Sequence, residues 1–169
     1  MRKPQWYEAP EGRARLKVEL EAVERFNAPR PPELRMTGKK HKLGHLIFTF
    51  AFKPLQGRDD LVRGQLILSS RHPEIAPTAR IDDPYLDDGE HLLPGEYARE
   101  LAKRTIPSDW AGDEFAIPCM WSHDDGSPDA WSATFTATTC VLNVQSWFLN
   151  YLVWLNTGTW PYDKPARKK

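Results

Sequence analysis

Apolar residues recur along this chain at two spacings, and the change from one to the other divides it into a helix, a run of strands and a second helix. Over Glu11–Phe26, Leu16, Leu20, Val23 and Phe26 fall at helical spacing on one side, with Arg13, Arg15, Lys17, Glu19, Glu21 and Glu24 elsewhere, which predicts an amphipathic helix. Pro29, Pro31 and Pro32 end it. Extended segments follow at Leu34–Thr37, at Leu46–Phe52 with alternating Leu46, Phe48, Phe50 and Phe52, and at Leu61–Ser69 with Val62, Leu66 and Leu68. Gly44 and the Gln56-Gly57-Arg58-Asp59 cluster supply the turns. A fourth extended segment, Ala76–Ile81, follows the proline-punctuated run His72-Pro73-Glu74-Ile75-Ala76-Pro77. The pattern is a helix followed by a four-stranded antiparallel meander.

Asp82–Glu114 is polar and irregular, with a short helix expected over Glu96–Lys103; a loop this long in a compact domain is either functional or mobile. From about Phe135 to Asn156 runs the major helix, apolar on more than one side and so expected to pack on more than one side. Trp147–Leu155 is the most apolar stretch, but Asn150 and Asn156 interrupt or bound it and Gly158 and Pro161 stop it, short of the roughly 20 residues that span a bilayer. The expected fold class is therefore α+β, with a single domain over residues 1–162 and a basic, disordered tail over residues 163–169.

Composition narrows the partners. Forty per cent hydrophobic residues, with seven Trp and seven Phe, supply a core for one domain in 169 residues. Twenty-three basic residues balance 23 acidic ones, so no net field draws the chain to nucleic acid or an anionic membrane, and a protein or small-molecule partner is expected. Met1-Arg2-Lys3-Pro4-Gln5-Trp6-Tyr7 carries charge without a following apolar run, unlike a secretory signal. Two cysteines, one in an expected loop and one in the long helix, make no disulfide framework, which favours a reduced, cytoplasmic location. Neither a Gly-rich phosphate loop nor a dinucleotide fingerprint occurs, and His41 and His45 stand alone near a strand. No cofactor or metal is expected.

One segment carries candidate chemistry. Ala116-Ile117-Pro118-Cys119-Met120-Trp121 sets a thiol in a short apolar run, and Trp131-Ser132-Ala133-Thr134-Phe135-Thr136 opens the long helix twelve residues after the cysteine. Pro118, Met120 and Trp121 would disfavour the thiolate by desolvation, while His123 nearby would favour it. From these residues alone, a nucleophile and a buried structural cysteine are about equally good readings. Cys140, among Val141, Leu142 and Val144, is expected to be an inert core thiol. Trp131 and Trp160 are expected to pack rather than to touch substrate.

The order helix, meander, proline-rich turn, cysteine segment, tryptophan and long helix resembles the core of ubiquitin-conjugating enzymes over about residues 11–155. His72-Pro73-Glu74-Ile75-Ala76-Pro77-Thr78-Ala79-Arg80-Ile81 is similar to the family's proline-flanked approach to its fourth strand. Ile117-Pro118-Cys119-Met120 takes the place of the catalytic cysteine, and Trp131-Ser132 with Thr134-Phe135-Thr136 resembles the family's Trp-Ser-Pro-x-x-Thr segment ahead of its helix. The departures are specific. The family's His-Pro-Asn triplet, whose Asn supplies an amide to the developing oxyanion, has no counterpart, since no Asn lies between Asn27 and Asn143. The segment between Pro77 and Cys119 is expanded, and the chain closes soon after Trp160-Pro161, where eukaryotic members add helices. Both traits resemble compact bacterial members found in anti-phage operons.

The resemblance implies that Cys119 takes an acyl group as a thioester and presents it to an amine. It implies protein partners: the C-terminus of a cyclic-oligonucleotide synthase, or a ubiquitin-like protein, with an activating enzyme upstream. Aminolysis needs a neutral amine, and Asp124, Asp125 and Asp129 stand close enough in sequence to orient one and accept its proton, as does His123. Each also has a plainer reading, because Asp-Asp-Gly-Ser-Pro-Asp is a solvated turn and loop histidines are common. The missing oxyanion donor would come from backbone N–H groups of the cysteine loop or from His91, Thr105 or Ser108. A non-catalytic binding module of the same fold is the alternative.

Overall fold

The computed structural model describes residues 5–41, 44–55, 59–69, 71–86, 92, 116–118, 120 and 130–161. It is α+β: an N-terminal helix α1 (Pro10–Asn27), a four-stranded antiparallel sheet of β1 (Thr37–Lys40), β2 (Leu46–Phe52), β3 (Val62–Leu68) and β4 (Thr78–Asp83), and a C-terminal helix α2 (Ala137–Thr157). The strands lie in the order of the chain, as hairpin-connected neighbours do.

The alternation in β2 decides which sheet face becomes the core. Leu46, Phe48, Phe50 and Phe52 all point to one side, and the register sets them opposite Leu68, Leu66, Gly64 and Val62 of β3. Ala79 and Ile81 continue that face onto β4. Against it lies α2, through Cys140, Val141, Val144, Trp147, Phe148 and Tyr151, at the spacing of one helix face. The Phe148 ring meets Phe52 edge to face at 5.9 Å. Each large side chain buried in this way contributes roughly 1.5–3 kcal/mol.

Helix α2 ends on Gly158, whose left-handed φ of 69° lets its N–H reach the Trp154 carbonyl at 2.7 Å. The turn brings Trp160 back against Trp147, with ring centroids 5.7 Å apart.

Two expectations are corrected. Of the extended segment expected at Leu34–Thr37, Leu34 closes a 3-10 turn over Pro32–Leu34, Arg35 is extended, and strand pairing begins only at Thr37. Asn27, the last residue of α1, holds Met36 through both its amide nitrogen and its amide oxygen at 2.8 Å, which delays the strand. Asp82 and Asp83 end β4 rather than opening the loop. Helix α2 packs on the sheet and on α1, as a helix apolar on more than one side does, and its remaining side is open: Leu142, Leu149, Val153 and Leu155 are 41–56% exposed. The short helix over Glu96–Lys103 and the tail over 163–169 lie outside the described residues. Among the described residues, no helix is long and apolar enough to cross a membrane.

Gly64 sits at the register shift between β3 and β4, with the Phe50 ring over it. A β-carbon there would lie 2.2 Å from the Arg80 carbonyl oxygen and 2.6 Å from the Phe50 ring, closer than atoms pack. Gly64→Ala should therefore cost about 1–3 kcal/mol by overpacking, read as a lowered denaturation midpoint. A midpoint equal to the parent's would contradict the close approach.

Candidate functional site

The four candidate catalytic residues, Cys119, His123, Asp124 and Asp125, lie outside the described residues, as do Asp129, His91, Thr105 and Ser108. What the structure defines is the frame on either side of them. Ala116 and Ile81 exchange two backbone hydrogen bonds, at 2.8 and 3.1 Å, so the chain leading to position 119 is laid antiparallel along the outer edge of β4. Ile117 is 3% exposed, Pro118 forms an isolated bridge with Leu92, and Met120 packs against the core. The apolar neighbours of Cys119 thus anchor its segment to the sheet edge.

On the far side of the gap, Trp131 donates its ring N–H to the Pro73 carbonyl at 2.9 Å. The His72 ring lies between Trp6 and Trp131, with centroids 5.3 and 6.0 Å away. The His72-Pro73 turn and the Trp131-Ser132 segment, far apart in sequence, therefore form one corner. Trp131 and Trp160 both pack, as expected.

At this corner sits a residue that the sequence pattern misassigned. Glu19, expected on the outer side of α1, is completely buried, whereas Leu20, expected inside, is 50% exposed. The stripe of α1 that meets the core runs through Leu16, Glu19, Val23 and Phe26 at 3–4 spacing, and Glu19 falls on it. A carboxylate in line with an apolar stripe was the available signal. Its oxygens are fully engaged: Oε1 accepts from Arg15 Nε at 2.8 Å and from His72 Nε2 at 3.0 Å, and Oε2 accepts the Ala137 N–H at 2.7 Å.

Arg15 also donates to the carbonyls of Ala133 and Phe135, just ahead of α2. The carboxylate therefore faces the N-terminus of α2, where the helix dipole favours negative charge. His72 Nδ1, on the other side of the same ring, is buried without a hydrogen-bond partner.

Burial alone would push the Glu19 carboxyl up, but the hydrogen bonds from His72 and Ala137 and the positive charge of Arg15 together hold it below its ordinary value. The same burial, with the Glu19 charge nearby, pushes the Cys140 thiol far up. Cys140 is fully buried in the first turn of α2 and is no nucleophile. On the β1–β2 hairpin, burial and then His41 lower the pKa of His45; their rings are 5.8 Å apart. Among the described residues, no group of three or more His, Cys, Asp or Glu is placed to hold a metal ion.

A cleft of about 350 Å³ lies between Phe148 and Leu152 of α2 and the Arg63–Asp83 ion pair, which is closed at 2.9 Å. Asp60 adds a second carboxylate to its lining, and among the described residues neither a cysteine nor a histidine lines it.

The chain matches no protein-family model, no curated protein and no solved structure.

Two outcomes follow from the corner. Because the folded-state pKa of Glu19 is depressed, its contribution is fully present above its ordinary value of 4.5 and is lost as pH falls through the folded value. Thermal midpoints should hold from neutrality down to about pH 5 and fall below it. Glu19→Ala, which strands Arg15, His72 and the Ala137 N–H, should cost about 3–5 kcal/mol at neutral pH and flatten that acid fall; an unchanged acid profile would sink the assignment. For Cys140, alkylation of the native protein followed by peptide mapping should leave this thiol unmodified until the chain is denatured. Rapid native labelling would contradict its burial.

Proposed function

We propose that the chain is a ubiquitin-conjugating-type acyl carrier, in which Cys119 accepts the C-terminus of a partner protein as a thioester and passes it to an amine. The observation that supports this most is the fastening of the residues around position 119. Ala116 is paired to β4, Ile117 and Met120 are seated on the core, and the corner of His72-Pro73 and Trp131 closes the other end. A cysteine carrier needs a thiol on an anchored segment, because a thioester must be offered to its acceptor in a fixed orientation. The element order is the second support, since a helix, a four-stranded antiparallel sheet and a helix after the cysteine agree with that reading. Cys140, completely buried, is no competitor.

In this reading the thiolate of Cys119 attacks the partner's activated carbonyl carbon and expels the donor thiol, and an amine then attacks the new thioester and releases Cys119. His123, Asp124 and Asp125 are the proposed groups that orient the amine and take its proton. The cargo is the C-terminus of a cyclic-oligonucleotide synthase, with a ubiquitin-like protein as the alternative, loaded by an activating enzyme, in bacterial anti-phage defence. Arg13, Lys17 and Glu21 on the exposed side of α1 are the proposed contact with that loading partner.

Intact-mass spectrometry of the chain incubated with a C-terminally activated synthase or ubiquitin-like protein tests the proposal. A reductant-sensitive species of summed mass is expected with the parent and with Cys140→Ala, and none with Cys119→Ala. An adduct that persists in Cys119→Ala overturns the assignment. Non-covalent binding of the same donor without any adduct identifies a binding module instead.

A further inference from the structure

The outer side of α2 has a composition that a solvent-facing helix surface rarely shows. None of its 21 residues is Asp, Glu, Lys, Arg or His, in a chain of which 27% is charged. The open side of α1, by contrast, displays Glu11, Arg13, Lys17, Glu21, Glu24 and Arg25. An exposed helix normally turns charge to water.

The exposed positions are also ordered. Leu142, Ser146, Leu149, Val153 and Asn156 are all solvent-facing and follow one another at steps of four, three, four and three residues, the seam spacing of a two-helix coiled coil. The opposite side of the helix, through Val144 and Tyr151, is already buried in the core. This second stripe is therefore additional to the face that holds the domain together.

We propose that this seam is a two-fold interface at which α2 packs antiparallel against α2 of a second copy of the chain. The inference is independent of the acyl-carrier reading. Three features select a second copy over another occupant. First, the seam is self-complementary about its midpoint: an antiparallel partner sets Leu142 against Val153 of the second copy, and Leu149 over the small Ser146. Second, the flanking Asn143, Gln145 and Asn150 are amides, each both donor and acceptor, so a copy of the same surface satisfies them and a hydrocarbon phase does not. The same register sets Asn143 beside Asn150 of the second copy. Third, the absence of charge means that two copies meet without like-charge repulsion, while a charged partner would find nothing to pair with.

From Leu142 to Asn156 the seam is about 21 Å long. A contact of that length sits at the small end of specific interfaces, below about 1,200 Å² in total, so the dimer should assemble and dissociate with concentration.

Sedimentation velocity on the full chain, from about one to a few hundred micromolar, reads this directly. The weight-average mass should climb from monomer toward dimer. Leu149→Lys and Ser146→Glu, both at exposed positions, should each hold the chain at the monomer mass with an unchanged circular dichroism spectrum. Mixing the two variants should restore a heterodimer, because in the antiparallel register the substituted position of one faces the substituted position of the other. Monomer at every concentration, including the case in which residues 93–115 of the same chain cover the seam, overturns the proposal. So does a dimer that survives Leu149→Lys, or a mixture that stays monomeric.

Discussion

A buried carboxylate holds three parts of this molecule together. Glu19 belongs to α1, its Oε1 binds His72 in the turn between β3 and β4, and its Oε2 caps the first N–H of α2. Fully desolvating one charge is costly, and the arrangement is stable only because every oxygen is engaged and Arg15 supplies the opposite charge. Arg15 then reaches the carbonyls of Ala133 and Phe135. The approach to α2 is thus fixed by polar bonds, where an apolar contact would allow it to slide. Directional bonds specify one orientation of α1 against α2, which hydrophobic burial alone does not.

That corner and the sheet edge fix the described residues on either side of the segment that holds Cys119. The chain is held against β4 at Ala116 and against the His72-Pro73 turn at Trp131, and both attachments are made by backbone or by packed aromatic groups rather than by mobile charge. The buried His72 Nδ1 belongs to the same corner, on a ring set between Trp6 and Trp131.

Helix α2 serves two surfaces with different logic. Its inner face matches the aromatic ladder of β2, where Phe52 meets Phe148, and this contact makes the domain. Its outer face carries Leu142, Leu149 and Val153 without any charge, at a spacing that does not coincide with the inner stripe. A high apolar content distributed around a helix is therefore not equivalent to burial all round. The geometry of the neighbours decides which side is closed.

Strands β2, β3 and β4 and both helices were legible in the sequence because period-two and period-3.6 patterns are local properties of the chain, whereas the exposed β1 was not. The alternation of Leu46, Phe48, Phe50 and Phe52 suffices to place β2, and the apolar run from about Phe135 to Asn156 suffices to place α2 to within two residues at each end. Cys119 was singled out as a candidate in the same local way, from residue type and apolar flanks, and it lies outside the described residues. What the sequence did not reveal is long-range: that Glu19 rather than Leu20 faces inward, that Asn27 holds Met36 out of the strand, and that one side of α2 stays open. A helical periodicity fixes a stripe only to within about one residue, some 100° of rotation. Only the partners across the fold, here His72 and the first N–H of α2, determine which residue of α1 the core accepts.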